Sequence, residues 1–227
     1  MKARDVMTSH AISVGPDLPV QAVANTLVKN GISAVPVVGN DGKLLGIISE
    51  GDLIRRVETG TERRRSWWLE MISSGRSLAA EFAKTHGLKA EDIMTTFVIT
   101  ADQDMPLHEI AELMERHGVK RVPIVENEQV IGIVSRANLV QALASGTQDA
   151  TTEDTDEALR EAVIAQLSGQ PWGQGMVNVI VHNGAVDLWG VVDSAEEKKA
   201  VRVAAERIPG VRSVNDNLRV YRISSGI

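Results

Sequence analysis

The chain contains two copies of one segment, and this duplication constrains the fold more than any other feature. Residues 31–53 (GISAVPVVGNDGKLLGIISEGDL) correspond to residues 118–139 (GVKRVPIVENEQVIGIVSRANL). Upstream, residues 5–38 and 92–125 share an offset of 87 and are identical at 11 of 34 positions. Two copies are fewer than the three or more that a stacked repeat protein normally needs. We therefore expect two units that pack face to face and form paired, similar clefts.

Each copy predicts the element order β-α-β-β-α. The first copy predicts strands at 11–14, 35–38 and 44–48 around a helix at 20–30, and the second predicts strands at 98–101, 122–125 and 130–134 around a helix at 107–117. Gly31 and Gly118 follow the two helices, where glycine commonly ends a helix. The strands are nearly continuous apolar runs, which indicates sheets that are covered on both faces.

Composition narrows the class of protein. Hydrophobic residues make up 43% of the chain, enough for buried cores, and the net charge of −6 argues against a general nucleic-acid binder. The absence of cysteine excludes disulfides, thiolate zinc sites and cysteine nucleophiles. The histidines show no paired metal spacing, and no catalytic grouping stands out. Without an export signal or a long apolar run, we expect a soluble, cytoplasmic protein with no metal and no catalytic cofactor.

Two segments interrupt or follow the repeats. Residues 57–88 contain Arg63-Arg64-Arg65 and Trp67-Trp68 ahead of apolar residues at helical spacing, which predicts an amphipathic helical insert. Its tryptophans could cover the repeat core or a dimer contact, bind lipid head groups or nucleic acid, or bind a protein partner. Residues 146–154 are polar and acidic and are typical of a linker.

The C-terminal part, residues 155–222, has a different pattern. It predicts a helix at 156–167, a hairpin of 177–181 and 185–191 around His182-Asn183-Gly184, a helix at 195–208 and a strand at 211–221. The predicted order is therefore α-β-β-α-β.

Each repeat ends with a strand followed by a hydroxyl residue and, three positions later, a carboxylate or an amide. These segments read Gly46-Ile-Ile-Ser-Glu-Gly-Asp52 and Gly132-Ile-Val-Ser-Arg-Ala-Asn138. The spacing is that of a helix-capping box. It is also compatible with binding, because a helix N-terminus favours phosphate and a carboxylate can accept from two vicinal hydroxyls of a ribose.

These residues resemble CBS domains, and the pair, residues 1–56 and 89–145, resembles a Bateman module. The resemblance implies an α/β (α+β) fold: a tandem CBS pair with pseudo-two-fold symmetry, often dimerised, here followed by the small α-β-β-α-β domain. It also implies clefts that bind adenosine-containing ligands such as AMP, ADP, ATP or S-adenosylmethionine. In the family each cleft combines the hydroxyl and acid of one repeat with two segments of the other.

Carried onto this chain, the resemblance implies two unequal clefts. One would combine Ser49, Asp52, Thr95, Ile99, Val119, Lys120 and Arg121; the other would combine Ser135, Asn138, Thr8, Ile12, Ile32, Ser33 and Ala34. The first has a carboxylate for ribose and two cations for phosphates, whereas the second has an uncharged amide, with Arg136 nearby as a further cation. We therefore expect the Asp52 cleft to be the main site.

The C-terminal part resembles a BON domain through the segments Val186-Asp-Leu-Trp-Gly-Val-Val-Asp193 and Pro209-Gly-Val-Arg-Ser-Val-Asn-Asp-Asn-Leu218. The resemblance implies a phospholipid or protein partner. The leading hypothesis is a non-enzymatic regulatory protein that binds an adenine nucleotide, works as a homodimer and uses the BON-like domain as output or tether. The alternative is a structural or interaction protein with empty clefts, which docks a partner or membrane through Trp67-Trp68 and the BON-like domain.

Overall fold

The structure is a computed structural model that describes residues 1–54, 83–145, 153–170, 172 and 176–220. Most of the predicted insert, including Arg63–Arg65 and Trp67-Trp68, lies outside these residues, as does most of the predicted linker.

The described residues form helices and strands in the predicted order, except for the first strand predicted in each repeat. The elements are α1 (Ala3–Val6), β1 (Thr8–Ser9), α2 (Val20–Asn30), β2 (Ala34–Val38), β3 (Leu44–Ser49), α3 (Glu50–Leu53), α4 (Ala90–Ile93), α5 (Leu107–Arg116), β4 (Arg121–Glu126), β5 (Gln129–Ser135), α6 (Arg136–Ser145), α7 (Glu153–Ser168), β6 (Met176–His182), β7 (Ala185–Val192), α8 (Ala195–Glu206) and β8 (Ser213–Val220). Residues 83–86 are also helical. The mixed α/β class is confirmed.

The strands form three sheets within two compact units. The first unit contains Met1–His10, Ile99–Glu126 and the described residues from Ile131 onwards; the second contains Asn127–Val130 and the described part of Ala11–Val98. Sheets β1-β5-β4 and β6-β7-β8 belong mainly to the first unit, and β2-β3 belongs to the second. The unit boundaries do not follow the repeats, because the start of each repeat is grouped with the last strand of the other.

The predicted strands at 11–14 and 98–101 are wrong. Each segment makes one isolated parallel bridge, Val14 with Val37 and Ala101 with Ile124. A second bridge, one step before Val14 in the chain, would need the backbone N–H of residue 36. The equivalent second bridge before Ala101 would need the backbone N–H of residue 123. Both positions are proline, which has no N–H to donate. The ladder therefore stops after one bridge in both repeats.

The helix α2 shows how the apolar pattern builds the core of the second unit. Val20, Val23 and Leu27 recur at helical spacing and are buried against β2 and β3 residues such as Val35. Gly31 ends the helix with φ +61°, a left-handed conformation that glycine adopts without strain. The predicted bounds of this helix are confirmed.

The C-terminal α-β-β-α-β order is confirmed, and it carries a tight hairpin between β6 and β7. Asn183 and Gly184 have φ +50° and +73°, the left-handed pair that an Asn-Gly turn favours. Buried Asp156 accepts hydrogen bonds from both of their N–H groups, at 2.7 and 2.8 Å. The helix α7 that carries Asp156 begins at Glu153, three residues earlier than predicted. One helix thus fixes the turn opposite it.

Candidate functional site

Both repeats build the same strand-to-helix junction. The backbone N–H of Ser49 donates to Asp52 Oδ2 at 2.9 Å, and the Ser49 hydroxyl donates to the same oxygen at 2.8 Å. In the second repeat, the N–H and hydroxyl of Ser135 donate to Asn138 Oδ1 at 2.8 and 2.6 Å. The Asn138 N–H returns a longer bond of 3.4 Å to the Ser135 hydroxyl. The predicted capping arrangement is therefore present in both repeats.

The glycine of each signature lets a threonine approach this junction. A Cβ on Gly46 would lie 2.7 Å from the sulfur of Met94 and 3.0 Å from the carbonyl oxygen of Thr95. Thr95 exchanges backbone hydrogen bonds of 2.9 and 3.0 Å with Ile47, two residues before Ser49. The structure thus brings together Ser49, Asp52 and Thr95, which we call the Asp52 half-site.

The first unit repeats this arrangement. A Cβ on Gly132 would lie 2.7 Å from the sulfur of Met7 and 3.0 Å from the carbonyl oxygen of Thr8. Thr8 pairs with Ile133, two residues before Ser135. Thr8, Ser135 and Asn138 form what we call the Asn138 half-site. The threonine and the signature residues of each predicted cleft therefore do come together.

A lysine that sequence reasoning missed completes the Asp52 half-site. Lys84 Nζ donates to Asp52 Oδ1 at 3.0 Å and to the Thr95 hydroxyl at 3.1 Å. The side chain of Asp52 is 15% exposed and that of Lys84 is 43% exposed. No spacing in the sequence points to this contact, because Lys84 follows the insert and the second repeat has no counterpart of the insert.

The Asn138 half-site is satisfied by its own amide. Asn138 is only 4% exposed, and its Nδ2 donates to the Val6 carbonyl oxygen at 3.0 Å and to the Thr8 hydroxyl at 3.4 Å. With its oxygen accepting from Ser135, the amide uses its donors and its acceptor inside the protein. The amide thus holds β5, α6 and the Val6–Thr8 segment together by hydrogen bonds.

The other predicted site residues lie at the junctions between helix and strand or in the leading segments. Ile12, Ile32, Ser33 and Ala34 belong to the second unit, whereas Ile99, Val119, Lys120 and Arg121 belong to the first. Each junction lies beside the signature of its own repeat: Ser33 accepts from the Glu50 N–H at 3.0 Å, and Lys120 accepts from the Arg136 N–H at 3.1 Å through their carbonyl oxygens. Each predicted cleft draws on both units, so its complete residue set stays a prediction.

Arg160 joins the C-terminal domain to the segment that precedes Thr8. Its Nη2 donates to the Met7 carbonyl oxygen at 2.7 Å, and its Nε donates to that of Val179 at 2.8 Å. Burial lowers the pKa of Arg160 to about 10, so the guanidinium is still charged at neutral pH. A cavity of about 370 Å³ lies beside it. Ile180 and Trp189 extend the contact by packing into a core cluster that contains Val6 and Met7 as well as residues of the second repeat.

The family models identify both parts of the chain. The CBS domain model matches residues 3–59 and 90–145, and the BON domain model matches residues 155–221. The chain is a CBS-domain protein with a C-terminal BON domain. Both resemblances predicted from the sequence are thereby confirmed.

Known proteins similar to this one include enzymes, CBS domain-containing proteins and uncharacterized proteins. An uncharacterized protein of Methanocaldococcus jannaschii is 35% identical over 154 residues, which cover 63% of this chain and 91% of that protein. Inosine-5'-monophosphate dehydrogenase of the same organism is 30% identical over 141 residues, covering 62% of this chain and only 23% of the enzyme. The crystal structure of CBSX2 in complex with AMP superimposes with a TM-score of 0.56 at 25% identity, covering 65% of this chain and 99% of CBSX2.

Two further observations bear on the class of site. Among the described residues, no group of three or more His, Asp or Glu side chains is arranged to hold a metal ion. None of the helices in the described part of the chain is both long enough and apolar enough to cross a membrane.

Proposed function

We propose that this protein is a non-enzymatic regulator that binds an adenine nucleotide at the Asp52 half-site. The observation that carries the proposal is the placement of a partly exposed carboxylate beside two hydroxyl residues, Ser49 and Thr95. An anionic carboxylate accepts stronger hydrogen bonds than a neutral oxygen, and two vicinal ribose hydroxyls suit it. The AMP complex of the similar protein CBSX2 supports an adenine nucleotide as the ligand class.

The remaining members of the site follow from the resemblance. Ile99 and Val119 would contact the base, and Lys120 and Arg121 would contact the phosphates. We infer that the second site, with Ile12, Ile32, Ser33 and Ala34, binds more weakly, because Asn138 is buried and its polar atoms are already bonded.

Calorimetric titration with AMP tests the main site. Asp52→Asn keeps an oxygen for Ser49 but removes the charge, so AMP affinity should fall about tenfold. Glu50→Gln is the matched control, because Glu50 is an exposed carboxylate on the same short helix. The affinity of this variant for AMP should stay at the wild-type value. Equal binding by wild type and Asp52→Asn, or none by either, would refute the site.

We further propose that the BON domain reads out the nucleotide through Arg160. A ligand changes a protein's conformation only to the extent that it binds one arrangement better than another. Arg160 bonds to Met7, and Met7 is adjacent to Thr8 of the Asn138 half-site, so a shift of this segment has a direct physical link to α7 and β6. This readout therefore requires AMP to occupy the weaker, Asn138 half-site as well.

Hydrogen exchange of the β6 amides with and without AMP tests this link. In the wild type, AMP should change exchange across β6, and Arg160→Met should reduce that change. Arg202→Met is the control, because Arg202 forms only an exposed pair with Glu206 on α8 among the described residues. The same AMP response in Arg160→Met would contradict the readout.

Sedimentation with phospholipid vesicles, with and without residues 150–227, separates a lipid partner from a protein partner.

We also propose a homodimer formed through the apolar helical faces of the CBS pair. Val28 and Ile54 are 72% and 61% exposed beside an apolar hollow of about 550 Å³, and Val140, the counterpart of Ile54 in the second repeat, is 66% exposed. Ile54 and Val140 occupy equivalent positions, so both repeats present an exposed apolar side chain after the signature serine. Light scattering should give twice the chain mass for the wild type and the single-chain mass for Val28→Glu, while Val203→Glu on α8 should remain dimeric.

A further inference from the structure

Lys84 is the cation that accompanies the carboxylate of the Asp52 half-site. Its Nζ is bonded to Asp52 Oδ1 and to the Thr95 hydroxyl, at 3.0 and 3.1 Å. The other carboxylate oxygen, Oδ2, already accepts two hydrogen bonds from Ser49. A ribose that binds this carboxylate must therefore use Oδ1, the oxygen that Lys84 contacts. Oδ1 has two acceptor positions and Lys84 occupies one of them, so two vicinal ribose hydroxyls can both bind Oδ1 only if Lys84 is displaced.

The comparison with the other half-site indicates that this lysine has a specific place. In the Asn138 half-site, the amide Nδ2 bridges to the Thr8 hydroxyl at 3.4 Å. A carboxylate has no N–H with which to make that bridge, and Lys84 Nζ supplies the donor in its place. The Asp52 half-site thus carries a positive charge that the Asn138 half-site does not require.

The ion pair between Lys84 and Asp52 is partly accessible to solvent. The side chain of Lys84 is 43% exposed and that of Asp52 is 15% exposed, so water screens the pair in part. The ammonium sits on a flexible four-carbon stem with three donors, so it can follow an anion that enters nearby. In a nucleotide, the 5′-phosphate is attached to the ribose through a single methylene group. A ribose on Asp52 would therefore place its own phosphate near the displaced ammonium.

We propose that Lys84 adds to the selectivity of the Asp52 half-site for 5′-phosphorylated adenosine over adenosine itself, beside the phosphate contacts proposed for Lys120 and Arg121. The inference rests on the proposed function of this half-site. A nucleotide offers the displaced ammonium a new anionic partner, whereas an uncharged nucleoside breaks the ion pair and offers nothing in return. Cationic adenosine derivatives are disfavoured further, because they bring a positive charge next to Lys84.

Parallel calorimetric titrations with AMP and adenosine test the selectivity. The wild type should bind AMP at least tenfold more tightly than adenosine. Lys84→Met should weaken AMP about five- to tenfold while adenosine binding stays equal or becomes tighter, so the preference shrinks. Lys84→Arg should keep most of the preference because it retains the charge. Lys29→Met, which removes an exposed lysine at the end of α2, should change neither affinity.

Several outcomes would overturn the inference, and they can be told apart. Wild-type affinities for both AMP and adenosine in folded Lys84→Met would refute selectivity while leaving the nucleotide site intact. An equal loss of both affinities would show that Lys84 only supports the local structure. If the wild type binds neither compound, the proposed function itself fails and the inference falls with it. Circular dichroism of each variant establishes that it is folded.

Discussion

The two half-sites have the same backbone arrangement. They differ in how the side chain three positions after the serine contacts the neighbouring threonine. Asn138 makes the contact with its own amide, whereas Asp52 makes it through Lys84. Asn138 is buried, whereas Asp52 is partly exposed. One half-site is closed by internal hydrogen bonds, and the other is held by an ion pair that solvent can reach.

The comparison separates the residues that build the junction from the residue that differs in its polar group. The glycine, the serine and the approaching threonine create the same junction in both repeats, so they account for the fold. The polar group at position 52 or 138 decides whether the junction offers an acceptor to a ligand. Similarity between the repeats therefore predicts structure, and the point of difference predicts function.

The largest expected effect is on the thermal stability of the ligand-free protein when Asn138 is replaced by Asp, compared with the replacement of Asp52 by Asn. Asn138→Asp replaces an N–H donor with an oxygen that faces the Val6 carbonyl in a buried place. An unsatisfied buried group of this kind costs about 2–4 kcal/mol, so the melting temperature should fall by roughly 5–15 °C. Asp52→Asn should lower it by at most about 4 °C, because its pair is partly exposed. Thermal unfolding by circular dichroism checks both, and equal shifts would contradict the asymmetry.

The next effect should be the same in the two half-sites. Gly46→Ala and Gly132→Ala would each push a Cβ to 2.7 Å from a methionine sulfur and 3.0 Å from a threonine carbonyl oxygen. We expect each to lower the free energy of unfolding by about 1–3 kcal/mol, measured by urea titration. Gly15→Ala is the control, since open space surrounds that position. A neutral result at one glycine only would show that the junctions are not equivalent.

The parts of the fold that depend on local patterns were predictable from the sequence. The α2 helix and the β6–β7 hairpin follow from apolar spacing, a glycine end and an Asn-Gly turn, which act over a few residues. The predictions of strands at 11–14 and 98–101 were wrong, because the length of a strand depends on which residues of its partner strand lack an N–H. Pro36 and Pro123 were visible in the sequence, but their pairing with the leading segments was not.

The candidate site divides in the same way. The residues Ser49, Asp52 and Thr95 could be grouped through the resemblance, and the structure places them side by side. Lys84 could not be found, because its contact with Asp52 spans 32 residues across a segment that occurs only once. Periodicity and repetition carry no information about a contact made by a unique segment.

The smallest effect is the coupling between Asp52 and Lys84, and it tests the comparison most directly. A double-mutant cycle of Asp52→Asn and Lys84→Met should give an interaction of about 0.3–1 kcal/mol in the free energy of unfolding at low salt. At 1 M salt the screening length is only about 3 Å, so most of this coupling should disappear. The value is small because the Lys84 side chain is 43% exposed, and a weak ion pair is what the proposed displacement by a ligand requires.

The matching cycle in the other half-site supplies the contrast. Asn138→Ala combined with Thr8→Val removes a neutral hydrogen bond, so any coupling between them should be the same at low and high salt. A salt-independent coupling between Asp52 and Lys84 would contradict an exchangeable ion pair and would make the lysine a fixed part of the fold. A salt-sensitive coupling at Asp52 alone is expected if only that half-site can exchange an internal cation for a ligand.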